Sequence, residues 1–110
     1  MSWYRKSPDG FKYSIKAPKL ITHTKKFIEC EKELIEFYAA CETGLKDKLA
    51  CVLFQLPPSF QYSPERLELI TASVDIRFSN AIEFRHASWW TEAVFQTLRQ
   101  HKMIFLQCEL

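Results

Sequence analysis

The stretch Ala81-Ile82-Glu83-Phe84-Arg85-His86-Ala87-Ser88-Trp89-Trp90 sets a carboxylate, a guanidinium, an imidazole and two indoles almost side by side. Charge is costly to bury, so Glu83 and Arg85, interleaved with Ile82 and Phe84, need a reason to stand there. On a β-strand residues two apart share a face, which turns Glu83 and Arg85 one way and Ile82 and Phe84 the other. A carboxylate can act as general acid or base, and a guanidinium grips carboxylate or phosphate with its planar fork. The same two groups also make a structural ion pair, and both readings stand. Gln55 and Lys16, each near the end of an apolar or alternating run, add an amide and a second cation. His23 follows Ile21-Thr22 in a segment leading to a helix, where it serves either proton transfer or a cap. His86 directly follows Arg85, so alternation turns it away from the Glu83 face unless the chain bends there. Trp89 and Trp90 are half core and half pocket wall, since an indole packs while offering an N–H.

Those side chains depend on strands and helices in alternation. Phe11 to Lys16 alternates apolar and polar residues, and Pro18 ends it. From Thr24 to Cys41 the positions Phe27, Cys30, Leu34, Phe37 or Tyr38, and Cys41 recur at helical spacing, with Thr22 or Thr24 as cap and Gly44 as stop. Leu49 to Leu56 is nearly all apolar and closes on Pro57-Pro58; a strand apolar on both faces belongs in a covered parallel sheet. Ser63-Pro64 reads as an N-cap with proline at N1, opening a helix that presents Leu67, Ile70 and Val74 to the sheet. Asn80 to Arg85 is the third strand. Trp90, Val94 and Leu98 mark a third helix, with Ser88 as its cap and His101 or Lys102 near its end; Ile104 to Cys108 is a fourth strand. The order is β-α-β-α-β-α-β with room for right-handed crossovers, which fits an open flavodoxin-like sheet or a piece of a barrel.

Composition removes several function classes. The chain has 110 residues, 47% of them hydrophobic, enough for one domain with a core. Its 15 basic and 13 acidic residues are interleaved, so no nucleic-acid partner is predicted. No apolar run would span a bilayer and no secretory leader opens the chain, so no membrane partner is expected and the simplest location is the cytoplasm. Cys30, Cys41, Cys51 and Cys108 have no close pairing, and with the histidines at 23, 86 and 101 they make no zinc or redox motif. They read as small buried hydrophobes. With only Gly10 and Gly44, no glycine-rich turn follows any strand, which excludes a dinucleotide fingerprint and a P-loop. No cofactor and no metal are predicted.

Longer blocks carry a family resemblance. Trp3-Tyr4, Pro8-x-Gly10-Phe11-x-Tyr13-x-Ile15-Lys16-x-Pro18, Ile21-Thr22-His23, Phe54-Gln55-Leu56-Pro57-Pro58-x-Phe60 and Glu83-Phe84-Arg85-His86-x-Ser88-Trp89 stand in order at sensible spacings. Together they resemble the DUF72, or YecE-like, family over nearly the whole chain. The resemblance implies a TIM-type (β/α)8 barrel, a fold that needs about 250 residues. Residues 1–110 then form a single incomplete barrel segment, about half of the barrel, running from its third strand to about its sixth. The resemblance implies a fold and a pocket but no reaction.

Active sites of such barrels lie at the C-terminal ends of the strands. Alternation turns Phe11, Tyr13 and Ile15 to the helices and Lys12, Ser14 and Lys16 inward; Gln55 shares its face with Leu53 and Cys51, and Ala81, Glu83 and Arg85 face inward. Lys16, Gln55 and Arg85 are expected at the strand ends with Glu83 one layer deeper, and His23, His86 and Trp89 in loops above. One function that follows is binding or processing of a small anionic ligand. In it Lys16, Gln55, Arg85, His86 and Trp89 bind, and Glu83 and His23 do acid–base chemistry. The other is a non-catalytic barrel segment that associates with itself through exposed sheet edges, acts as an interaction module, or has no independent function.

Overall fold

A computed structural model of the chain describes residues 13–45 and 49–107. Four strands lie side by side in one parallel sheet: β1 (Tyr13–Lys16), β2 (Leu49–Gln55), β3 (Asn80–Phe84) and β4 (Met103–Gln107). Helices α1 (Glu31–Leu45), α2 (Pro64–Ser73) and α3 (Glu92–Gln100) make the crossovers. Neighbours in the sheet are neighbours in sequence, β1-β2-β3-β4. A flavodoxin-like sheet would place its first strand between later ones; the sequential order here is consistent with the other expected architecture, a barrel segment.

Burial agrees with the order. Ile15, Val52, Phe54, Ile82 and Phe84 are buried on the helix-facing side. The opposite face carries Ser14 and Lys16 exposed, Cys51, Leu53, Gln55 and Glu83 half-buried, and Ile104 and Leu106 exposed, with the small Ala81 buried among them. A doubly wound sheet buries both faces; here the helices and the core lie on one. Pairing defines two rows on the open face: Lys16 with Leu53, Ala81 and Ile104, and above it Gln55 with Glu83 and Leu106.

Local chemistry explains the elements. The Ser63 hydroxyl accepts the Arg66 N–H at 3.1 Å, Pro64 follows at the first helical position, and Leu67 and Ile70 are buried with Val74 at the C-cap. The first helix departs from the expectation of Thr24 to Cys41. After β1 the chain makes one wide turn, Leu20–Thr24, closed by the Lys25 N–H on Leu20 O at 2.9 Å. Lys26, Phe27 and Glu29 then take left-handed φ of 50°, 68° and 50°, and α1 opens only where the Leu34 N–H reaches Cys30 O. Neither Thr22 nor Thr24 can cap it. The helical spacing misled because Phe27 and Cys30 are buried from the loop, Phe27 against Phe54 at a ring distance of 5.4 Å. Likewise Thr91, not Ser88, caps α3, accepting the Val94 N–H at 3.3 Å. Cys30 and Cys41 are buried free thiols, Cys51 is half-buried, and Cys108 lies outside the described residues, as do Phe11 and Lys12. At the N-terminal end of the sheet Tyr38 donates to Asn80 Oδ1 at 2.6 Å, and the Asn80 amide donates to Asp75 O and Phe78 O. Burial pushes the Tyr38 hydroxyl well above its usual range.

Candidate functional site

At the other end of the sheet, Gln55 closes β2 and stands in register with Glu83 of β3. Gln55 Nε2 donates to Glu83 Oε2 at 3.0 Å, and Arg85 Nε donates to the same oxygen at 3.0 Å. The Glu83 side chain is 17% exposed and that of Arg85 35%. One largely covered carboxylate oxygen therefore orients both a neutral amide and a guanidinium. Arg85 is engaged through Nε, and among the described residues no side chain takes its Nη1–Nη2 edge. That edge is the fork that accepts a carboxylate or phosphate.

His23 belongs to the wide turn after β1, with Nδ1 2.8 Å from the Thr22 hydroxyl. Its pKa lies below the ordinary 6.5, first through burial and then through the nearby charges of Lys19 and Arg85. The ring is thus neutral at pH 7 within the field of the Arg85 cation. Lys19 was not among the expected site residues. Its signal was its place directly after Pro18, in the loop that leaves the C-terminal end of β1.

The remaining expected residues separate. Lys16 is exposed at the end of β1 but pairs with Leu53, one row below Gln55 and Glu83. The expected layering is corrected accordingly: Lys16 is deepest, Gln55 and Glu83 are level, and Arg85 stands above. Register between paired strands, not position along each strand, sets these levels, so strand ends read from sequence do not align in space. His86 turns to its own loop, where Nδ1 accepts the Ser88 N–H at 3.1 Å and faces Ser88 Oγ at 2.8 Å. Nδ1 as acceptor puts the ring proton on Nε2. Ser88 Oγ in turn accepts the Tyr62 N–H at 2.7 Å, tying the loop after β3 to the loop after β2.

Trp89 is the clear correction. It is fully buried, stacked on Phe84 at 4.0 Å and on Phe60 at 5.5 Å, with Tyr62 edge-on at 5.1 Å. Its N–H donates to Phe60 O at 2.7 Å, so its one polar atom is spent on the backbone and it cannot contact a ligand there. A short turn of 3₁₀ helix, Ala87–Trp89, folds the indole back beneath the strand ends. Trp90 is half-buried and donates to Phe84 O at 3.2 Å. Among the described residues no three His, Cys, Asp or Glu side chains gather as metal ligands, and no helix is long and apolar enough to cross a membrane.

The profile of the family described as "Protein of unknown function DUF72" matches residues 1–109. The chain belongs to the DUF72 family. A crystal structure of a DUF72 family protein from Thermotoga maritima is similar over 91% of this chain at 29% sequence identity and a TM-score of 0.79. The match covers 40% of that protein, so this DUF72 chain spans about two-fifths of its relative's length. No curated protein matches the chain.

Proposed function

We propose that this DUF72 segment forms about half the wall of a (β/α)8 barrel whose C-terminal mouth binds a small oxyanion, a carboxylate or a phosphate ester, on Arg85. Glu83, itself held by the Gln55 amide, accepts the guanidinium's Nε–H, and the Nη edge receives the ligand. Neutral His23, beside that cation, donates or accepts a proton at the bound anion. Lys16, one row deeper, and Lys19, in the loop after β1, add positive field to the site. The observation that carries this reading is the shared Glu83 Oε2, 3.0 Å from both Gln55 Nε2 and Arg85 Nε. Support for the barrel comes from the sequential strand order and from the relative's size. Nine-tenths of 110 residues match two-fifths of it, so it is about 250 residues long, the usual length of such a barrel. The test is a thermal-shift titration with inorganic phosphate, glucose 6-phosphate and citrate. At 100 times its Kd a ligand adds ~2.7 kcal/mol of stability. Arg85→Lys, which keeps the charge and loses the fork, should weaken binding at least tenfold. Absence of any shift, or the same shift in Arg85→Ala, would refute the reading.

A second reading, a non-catalytic self-associating segment, is favoured by one observation. On the open face of β4, Ile104 is 49% and Leu106 38% exposed. Apolar groups beside a strand edge seek cover, and a second sheet supplies it. Sedimentation velocity on the 110-residue polypeptide tests this: a dimer that Leu106→Lys dissociates supports it, and a monomer at 100 µM refutes it.

A further inference from the structure

On the far side of the sheet from Arg85, a groove of about 490 Å³ runs between α1 and α2. Its walls are Leu34, Ile35 and Ala39 of α1 and Leu69 and Ala72 of α2. The small Ala39 and Ala72 leave space where longer side chains would close two neighbouring helices. Ile35 is 70% exposed there. Ile28 and Ile76, 60% and 75% exposed, adjoin the lining residues Glu29 and Asp75. These three are the most exposed large hydrophobic residues described; Ile35 lines the groove, and Ile28 and Ile76 are sequence neighbours of lining residues. Closing a barrel would not cover the groove: α1 and α2 are consecutive helices over neighbouring strands, so no other helix of that layer lies between them.

The rim is acidic. Glu29, Glu31, Glu42 and Asp75 border the groove, and its one lining cation, Arg77, is held by Asp75 at 2.8 Å. An apolar floor between acidic borders matches a helix with an apolar stripe and basic flanks. The 15 residues of α1 extend about 22 Å at 1.5 Å per residue, long enough to lie beside four turns of such a helix.

The geometry points to the α1–α2 groove as a docking surface for a basic amphipathic helix of a partner protein. This surface is independent of the oxyanion site, which lies on the opposite face of the sheet. It is tested by titrating the isotopically labelled 110-residue chain with an 18-residue Leu/Lys amphipathic peptide. The controls are its Leu/Glu counterpart and a Leu/Lys peptide of scrambled order. The expected result is amide shifts confined to α1, α2 and the segments beside them, with binding at least tenfold tighter than either control and weaker in high salt. Ile35→Lys and Ala39→Trp, both at exposed positions, should each weaken binding at least fivefold, and Arg85→Ala should leave it unchanged. Equal binding of the scrambled peptide, shifts on the open face of the sheet, or full affinity in Ala39→Trp would overturn the proposal. So would concentration-dependent shifts of α1 and α2 without peptide, because a second copy would then be the occupant.

Discussion

Replacing Trp89 by Phe separates architecture from ligand contact more cleanly than any other change. Phenylalanine keeps an aromatic ring between Phe84 and Phe60 but removes the indole N–H, which donates to Phe60 O at 2.7 Å. A buried carbonyl stripped of its donor costs ~1–3 kcal/mol. The void left by the smaller ring adds ~1 kcal/mol, because so dense a cluster relaxes only in part. The loss should therefore be about 3 kcal/mol. For 110 residues the unfolding entropy is ~230 cal/mol/K near 60 °C, so Tm should fall by about 13 °C. Urea and thermal unfolding followed by far-UV circular dichroism measure this without relying on the fluorophore removed. Phosphate affinity, measured in parallel below the new Tm, should stay within twofold of the wild type. Stability unchanged to within ~0.5 kcal/mol, together with a tenfold loss of phosphate affinity, would refute the placement of Trp89 in the core.

Two further outcomes follow from local chemistry. Ser63→Ala removes the acceptor of the Arg66 N–H and should cost ~1 kcal/mol, a fall in Tm of about 4 °C by calorimetry, whereas Ser88→Ala should leave α3 helicity unchanged because Thr91 caps that helix. Burial pushes the Cys41 thiol from its ordinary 9.0 up to about 11. The unfolded chain therefore releases this proton first: the contribution is whole below pH 9 and is lost as pH rises toward 11, reaching ~2 kcal/mol at pH 10.5. Urea titrations at pH 8 and 10.5 should show a smaller alkaline loss in Cys41→Ala, the remainder coming partly from buried Tyr38; equal losses would contradict the assignment.

Much of the fold was legible in sequence because its signals were local. The unbroken apolar run Leu49 to Leu56 can satisfy its surroundings only in a covered parallel strand, and β2 spans Leu49–Gln55. Ser63-Pro64 starts a helix by hydrogen bonding within one turn, and α2 begins at Pro64. The start of α1 was not legible, because burial imposes the same spacing on a tight loop as on a helix. Phe27 and Cys30 are buried without being helical. Two-residue alternation placed Glu83 and Arg85 on one face, and they meet at 3.0 Å. It could not place Lys16 relative to them, since register between strands depends on partners far away in sequence. Nor could it show that Trp89, only four residues from Arg85, turns back into the core.

The aromatic stack has a mechanical consequence. Phe60 from the loop after β2 and Trp89 from the loop after β3 share one stack, and the Tyr62 N–H bond to Ser88 Oγ joins the same loops again. The loops that follow Gln55 and Arg85 are thereby joined into a single body. His23 stands outside it, on a segment whose next residues hold three left-handed backbones without a glycine, each conformation costing ~1–2 kcal/mol. The guanidinium thus rests on the aromatic stack, whereas the imidazole rests on a separate turn that Phe27 anchors against Phe54 of the same core.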